Sequence, residues 1–292
     1  MIPEWLRPVE DGARTITAEQ LTRFTVPPGE DARPCAVLVL FADGPEGPEV
    51  VLTERAHDMR SHPGQVSFAG GALEPGESVE EAALREAWEE IGLEADGVET
   101  FGRLPELWMP PSNAAVTPVL AYWHTPGPLT VSSPAEVHAI HREPIAHLLD
   151  PASRYTVRHP SGFRGPAFRI GPDRDVVLWG FTGGILSRTF DHVGWTRPWD
   201  ESVVEDLPEH MLEDGPRRRR LSPQQEQALR DSGTQGPEQR TQGEDPRPAE
   251  PAQVDDGAAD LEGIADDRPE GGEPGPSVPS GTISASPAEE AR

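Results

Sequence analysis

The sequence predicts an α/β protein, more narrowly an α+β domain built on a mixed sheet, followed by a tail that does not join it. Three observations carry this reading. Short β-rich runs outnumber helical segments, and several are joined by hairpin-type turns. One helix, at residues 78–92, is marked at both of its ends. The composition then changes near Leu221, beyond which aromatic residues disappear.

Taken in order, "CAVLVLF" (35–41) and "VVLTER" (50–55) flank the turn-rich "ADGPEGPE", which predicts two antiparallel strands in a hairpin. "QVSFAGG" (65–71) predicts a further strand ending in glycines. Ser78 is a good N-cap, Glu81 three residues later completes a capping box, and Gly92 can end the helix in a left-handed conformation. Val79, Ala82, Ala83, Ala87 and Ile91 supply its buried side. Strands are expected around 97–107, 114–124 and 136–145, with a short helix at "IAHLLD" after Pro144. "DVVLWG" (175–180) predicts a strand, and "TGGILSRTF" (182–190) starts the last helix of the core.

These elements place one domain at residues 30–200. Residues 1–29 read as a helical or extended arm packed on it, and 201–220 as a linker. Residues 221–292 are Pro/Gly-rich and acidic, with too little apolar surface to offset the entropy of ordering them, so they read as a disordered tail. The formal net charge of −26 disfavours a phosphate-backbone partner, and the isolated "RRRR" at 217–220 is too small a patch to change that. The one cysteine, Cys35, rules out an intramolecular disulfide and reads as a buried strand residue. With no signal-like N-terminus and no long apolar run, the expected setting is cytoplasmic, with no membrane partner.

The helix poses a chemical question. Glu86, Glu89 and Glu90 stand at i, i+3 and i+4 and share one face, where like charges repel. The face is either solvated or holds a cation; a hard divalent ion would turn the repulsion into attraction. Arg85 lies off this face, placed to orient a carboxylate through a bidentate pair.

The spacing then speaks. Gly71, Glu77, Arg85-Glu86, Ala87, Glu89-Glu90, Gly92 and Leu93 resemble the Nudix hydrolase signature G-x5-E-x7-R-E-U-x-E-E-x-G-U. The resemblance implies an α/β/α sandwich and a Mg²⁺ or Mn²⁺ cofactor on Glu86, Glu89 and Glu90. It also implies that Glu77, Arg85 and Gly92 brace the motif, while Gly70 and Gly71 let the backbone approach the ligand. Some Nudix enzymes take a catalytic carboxylate from a later loop, for which Glu136 is the candidate beside its reading as a surface glutamate. Glu89 and Glu90 are the alternative proton acceptors. His62, His138 and His141 read as structural or solvent-exposed.

Upstream, Leu52, Thr53, Arg55, Ala56, Arg60, Gly64, Phe68, Gly70 and Gly71 resemble the added motif of the coenzyme A pyrophosphatase branch. Val51 stands there for a leucine and Ala69 for a proline. Arg55 and Arg60 supply guanidinium forks of the kind a phosphate-rich small molecule needs. The resemblance implies metal-dependent hydrolysis of coenzyme A or its derivatives to 3′,5′-ADP and 4′-phosphopantetheine. Two other readings stay open. One is the same chemistry on ADP-ribose, NADH or a dinucleoside polyphosphate; the other is a Nudix-fold binding module without catalysis.

Overall fold

The computed structural model describes residues 1–22, 31–59, 62–109, 112–160, 162–208 and 211–212. Arg60, the four-arginine cluster and the tail from 221 lie outside the described residues. The apolar run at 35–41 grows into β1 (Arg33–Gly44), which turns at once into β2 (Gly47–Arg55). Antiparallel pairing runs from Leu40 opposite Val51 to Gly44 opposite Gly47, as a hairpin requires.

The stretch expected as one strand at 65–71 is two. β3 (Val66–Ser67) pairs with β2, whereas β4 (Ala69–Ala72) pairs with Cys35–Leu38 of β1. The chain changes partner at buried Phe68. One edge of β1 is thereby divided between the hairpin and the glycine strand. α3 (Val79–Ile91) follows; its shorter forerunners are a 3₁₀ turn at Glu4–Leu6, α1 (Arg7–Ala13) and α2 (Ala18–Leu21). The strand expected over 97–107 also divides, into β5 (Val98–Arg103) and β6 (Leu107–Met109), interrupted by Leu104 and Pro105.

β7 (Ala114–Trp123) is buried along its whole length. It explains its own composition: a strand covered on both faces is read as a continuous apolar run. It pairs parallel to β1, from Arg33 opposite Ala114 to Ala42 opposite Trp123. β8 (Val137–Pro144) covers the other edge of β2, and α4 (Ile145–Leu148) follows. The eight-stranded sheet has the path β3-β2-β1-β7-β5, with β4, β6 and β8 attached to β1, β7 and β2.

Alternation assigns its two faces. Leu38, Leu40, Val51, Val119 and Ala121 pack with Ala82, Ala83, Ala87 and Ile91 of α3, where small side chains let the helix lie close. Val39, Phe41, Leu52, Leu120 and Tyr122 face the opposite way. They meet Leu6, Val9, Ile185, Leu186 and Phe190, the last three from α5 (Gly180–His192). The result is the expected helix–sheet–helix sandwich.

A four-stranded sheet was only partly legible. It comprises β9 (Arg154–Arg158), β10 (Arg164–Ile170), β11 (Val176–Leu178) and β12 (Val204–Asp206), in the order β11-β10-β9-β12. β12 comes from the stretch read as linker and lies parallel to β9. The last helix begins at Gly180, two residues earlier than expected. Among the described residues no helix is long and apolar enough to cross a membrane.

Candidate functional site

The glycines of β4 set how closely the metal-type carboxylates approach the sheet. A Cβ on Gly70 would run into the Ala36 carbonyl, and one on Gly71 would overlap the carboxylate of Glu86. Only residues without a side chain fit between β1 and α3 here. α3 itself starts from a reciprocal cap. The Glu81 amide donates to Ser78 Oγ at 3.3 Å, while the Ser78 amide donates to Glu81 Oε2 at 2.9 Å. Gly92 ends it at φ 65°, the left-handed cap anticipated from sequence.

Arg85 ties loop to helix. Its Nε and Nη2 donate to the two oxygens of Glu77 at 2.8 and 3.0 Å, and Nη2 also reaches the Ala72 carbonyl at 3.0 Å. Nη1 donates to Glu86 Oε1 at 2.9 Å and to Glu89 Oε2 at 3.3 Å. Hydrogen bonding to Glu77 leads the effects that hold this guanidinium protonated well beyond its ordinary range, and the same pairing lowers the Glu77 carboxyl. Arg85 thereby links Glu77 and the Ala72 carbonyl to Glu86 and Glu89.

Glu90 is the most enclosed carboxylate of the helix, at 7% exposure. Burial, then the charges of Glu86 and Glu136, push it up to about 8; the Gly70 amide and Arg55 pull the other way. Burial also raises Glu86, against the pull of Arg85, with Glu89 and Glu136 adding to the rise. Glu136, exposed in the turn just before β8, therefore joins Glu86 and Glu90 electrostatically although it is nearly fifty residues away in sequence. Backbone pairing holds it: the Ala56 amide donates to the Glu136 carbonyl at 2.8 Å. Arg55, at the end of β2, completes the group. Burial lowers its pKa, Glu90 and Glu136 raise it, and its buried Nε has no hydrogen-bond partner among the described residues.

Glu86, Glu90, Glu136 and Arg55 are accordingly brought together, while Glu89 is nearly half exposed and held by Arg85. The donor set fits a hard divalent cation. Its donors are hard carboxylate oxygens; burial and then the charges of Glu86 and Glu136 disfavour ionised Glu90, and a bound positive charge would offset both. A different cluster escaped sequence reasoning. Donor atoms of Glu54, His57 and His138 lie within 4.8 Å of one another. No local spacing announces it, because it depends on β2 meeting β8.

Several known proteins resemble the chain. A profile of the NUDIX domain matches residues 32–159. Nudix hydrolase 3 of Caenorhabditis elegans is 40% identical over 105 residues, covering 35% of this chain and 44% of that protein, so the chain spans less than half of that relative's length. The uncharacterized Nudix hydrolase NudL of Escherichia coli O7:K1 (strain IAI39 / ExPEC) is 35% identical over 167 residues, 56% of this chain and 83% of that one. A crystal structure of a C. elegans Ap4A hydrolase binary complex aligns with a TM-score of 0.33 and 20% identity, over 39% of this chain and 83% of that chain.

Proposed function

The chain belongs to the Nudix hydrolases, which act on pyrophosphate bonds, and from that premise we propose that it cleaves the diphosphate of coenzyme A or a close derivative. The observation that carries the reading is Arg55. It is a partly buried guanidinium with an unpartnered Nε, set beside Glu90 and Glu136 on the strand whose sequence resembles the coenzyme A branch. A buried cation lacking a full set of acceptors is costly, and phosphate oxygens supply acceptors in the geometry of its fork. Arg60 has the same assignment from sequence alone. Gly70 and Gly71 keep the backbone low enough for the substrate to lie over β4.

Glu86, Glu89 and Glu90 would hold the divalent ion, Mg²⁺ or Mn²⁺, which when bound neutralises charge on the diphosphate oxygens. Arg85 holds Glu86 and Glu89 in place and ties them through Glu77 to the loop. Of the three candidate proton acceptors, Glu89 is engaged by Arg85 and Glu90 is enclosed against β4. We assign removal of the proton from the attacking water to the exposed carboxylate of Glu136. Catalysis is assigned to the domain read from sequence at 30–200, to which the N-terminal helices and β12 also belong, and the cytoplasmic setting remains part of the same proposal.

The test compares kcat/KM for coenzyme A, 3′-dephospho-coenzyme A and ADP-ribose in wild type and Arg55→Ala, with Mg²⁺ or Mn²⁺. Wild type is expected to release 3′,5′-ADP from coenzyme A. Loss of a charge-assisted contact of about 1.5–3 kcal/mol lowers efficiency roughly ten- to a hundredfold in the variant. A larger loss with coenzyme A than with its dephospho form assigns the contact to the 3′-phosphate. Rapid cleavage of ADP-ribose by a wild type indifferent to coenzyme A would transfer the assignment to another nucleoside diphosphate derivative.

A further inference from the structure

On the far side of the same strand from Arg55, four side chains with nitrogen and oxygen donors converge. Along β2, Val51 belongs to the face packed on α3 and Leu52 to the opposite face. Alternation then sends Arg55 with Val51, and Glu54 with Leu52. Glu54 is buried, and both its oxygens are engaged: Oε1 by His57 Nε2 at 2.8 Å and Oε2 by His141 Nε2 at 2.9 Å. His57 comes from the turn after β2. Its ring lies over Gly64, where an added Cβ would sit 3.3 Å from His57 Cε1.

His138 is delivered by an irregularity. Glu54 pairs with Ala139 and Arg55 with Val137, so His138 is the extra residue of a bulge in β8. Bulges re-aim side chains. This one brings the His138 ring to 4.4 Å from that of His57, edge to face. Burial opposes the charged form of Glu54, yet hydrogen bonds from His141 and His57 outweigh it and hold the carboxyl below its ordinary value.

We propose that Glu54, His57 and His138 form a second metal site, distinct from the carboxylate group on α3, that takes a borderline divalent transition ion of the Zn²⁺ class. Two imidazoles and one carboxylate suit such an ion and not Mg²⁺, which demands oxygen donors. The scale fits as well. Donors about 2.0–2.1 Å from a tetrahedral zinc stand about 3.3 Å apart. The 2.8 Å between His57 Nε2 and Glu54 Oε1 therefore has to widen by about half an ångström, a small shift for an exposed imidazole. Buried His141 plays the outer part, holding the second carboxylate oxygen as partners of metal ligands commonly do. Three protein donors leave the fourth position to water or an exogenous ligand.

The test is calorimetric titration of the full chain with Zn²⁺ in excess Mg²⁺, which saturates the carboxylate site. Uptake of one Zn²⁺ is expected. His57→Ala and His138→Ala, both at exposed side chains, should each weaken it by at least about tenfold with the circular dichroism spectrum unchanged. Glu86→Gln should leave it unchanged. Histidine proton resonances provide a second readout, in which Zn²⁺ shifts the signals of His57 and His138. Absence of uptake, uptake indifferent to both histidine variants, or uptake abolished by Glu86→Gln would each overturn the site. None of these results bears on coenzyme A hydrolysis, so the two readings fail separately.

Discussion

Glu90 concentrates the chemistry of the site in one carboxyl group. Replacing it by Gln substitutes a neutral amide for a hard ligand, and turnover should fall at least about a hundredfold with the circular dichroism spectrum unchanged. Near-wild-type rates at saturating Mg²⁺ would remove Glu90 from the metal set. The same residue gives the metal-free protein a pH signature. Its carboxyl ordinarily titrates at 4.5 and here is pushed up to about 8, so between those values the folded chain keeps a proton that the unfolded chain has lost. Stability contributed by this group is therefore fully present below about pH 4.5 and is lost as pH rises through about 8. Urea midpoints measured in chelator across that window should decline, and Glu90→Gln should flatten the decline. Unchanged slopes in the two proteins would show that the proton resides elsewhere.

Among elements, α3 was almost wholly legible because its signals are local. Ser78 and Glu81 cap its start three residues apart, Gly92 caps its end, and the buried alanines follow the helical period. Ser78→Ala should cost about 1 kcal/mol, through loss of the cap alone, and lower the urea midpoint while the docked helix keeps its activity. An unmoved midpoint would mean that packing against the sheet, not the cap, fixes the first turn. What was illegible was set by pairing at a distance. β3 and β4 read as one apolar strand because a change of partner at Phe68 leaves no mark on composition. β9 and β10 were passed over because arginines and a proline interleave Tyr155, Val157, Phe168 and Ile170, and their partners β11 and β12 come from later in the chain. Glu54 and His138 were unremarkable singly; only the bulge in β8 makes them neighbours.

For the molecule as a whole, the N-terminal segment behaves as part of the core. Ile2, Leu6, Val9 and Ile16 are buried in the cluster that includes Phe190 of α5, and the Trp5 indole donates to Asp43 Oδ1 at 3.0 Å. Each fully buried aliphatic side chain contributes roughly 1.5–3 kcal/mol, so deleting residues 1–16 should remove several kcal/mol and expose one face of the sheet. A truncated protein with the wild-type urea midpoint would contradict this packing. The parallel contact of β1 with β7 has a further consequence, for the nascent chain. β1 can form its hairpin with β2 as soon as both leave the ribosome, which covers part of one edge. Its other edge waits for β7, about eighty residues later, or on the order of 4–16 s at ordinary elongation rates. Throughout that interval "CAVLVLF" presents an apolar, uncharged, open edge of the kind that seeds aggregation. Yield in a cell is thus set by how well that edge is shielded during synthesis, before any catalytic residue has found its place.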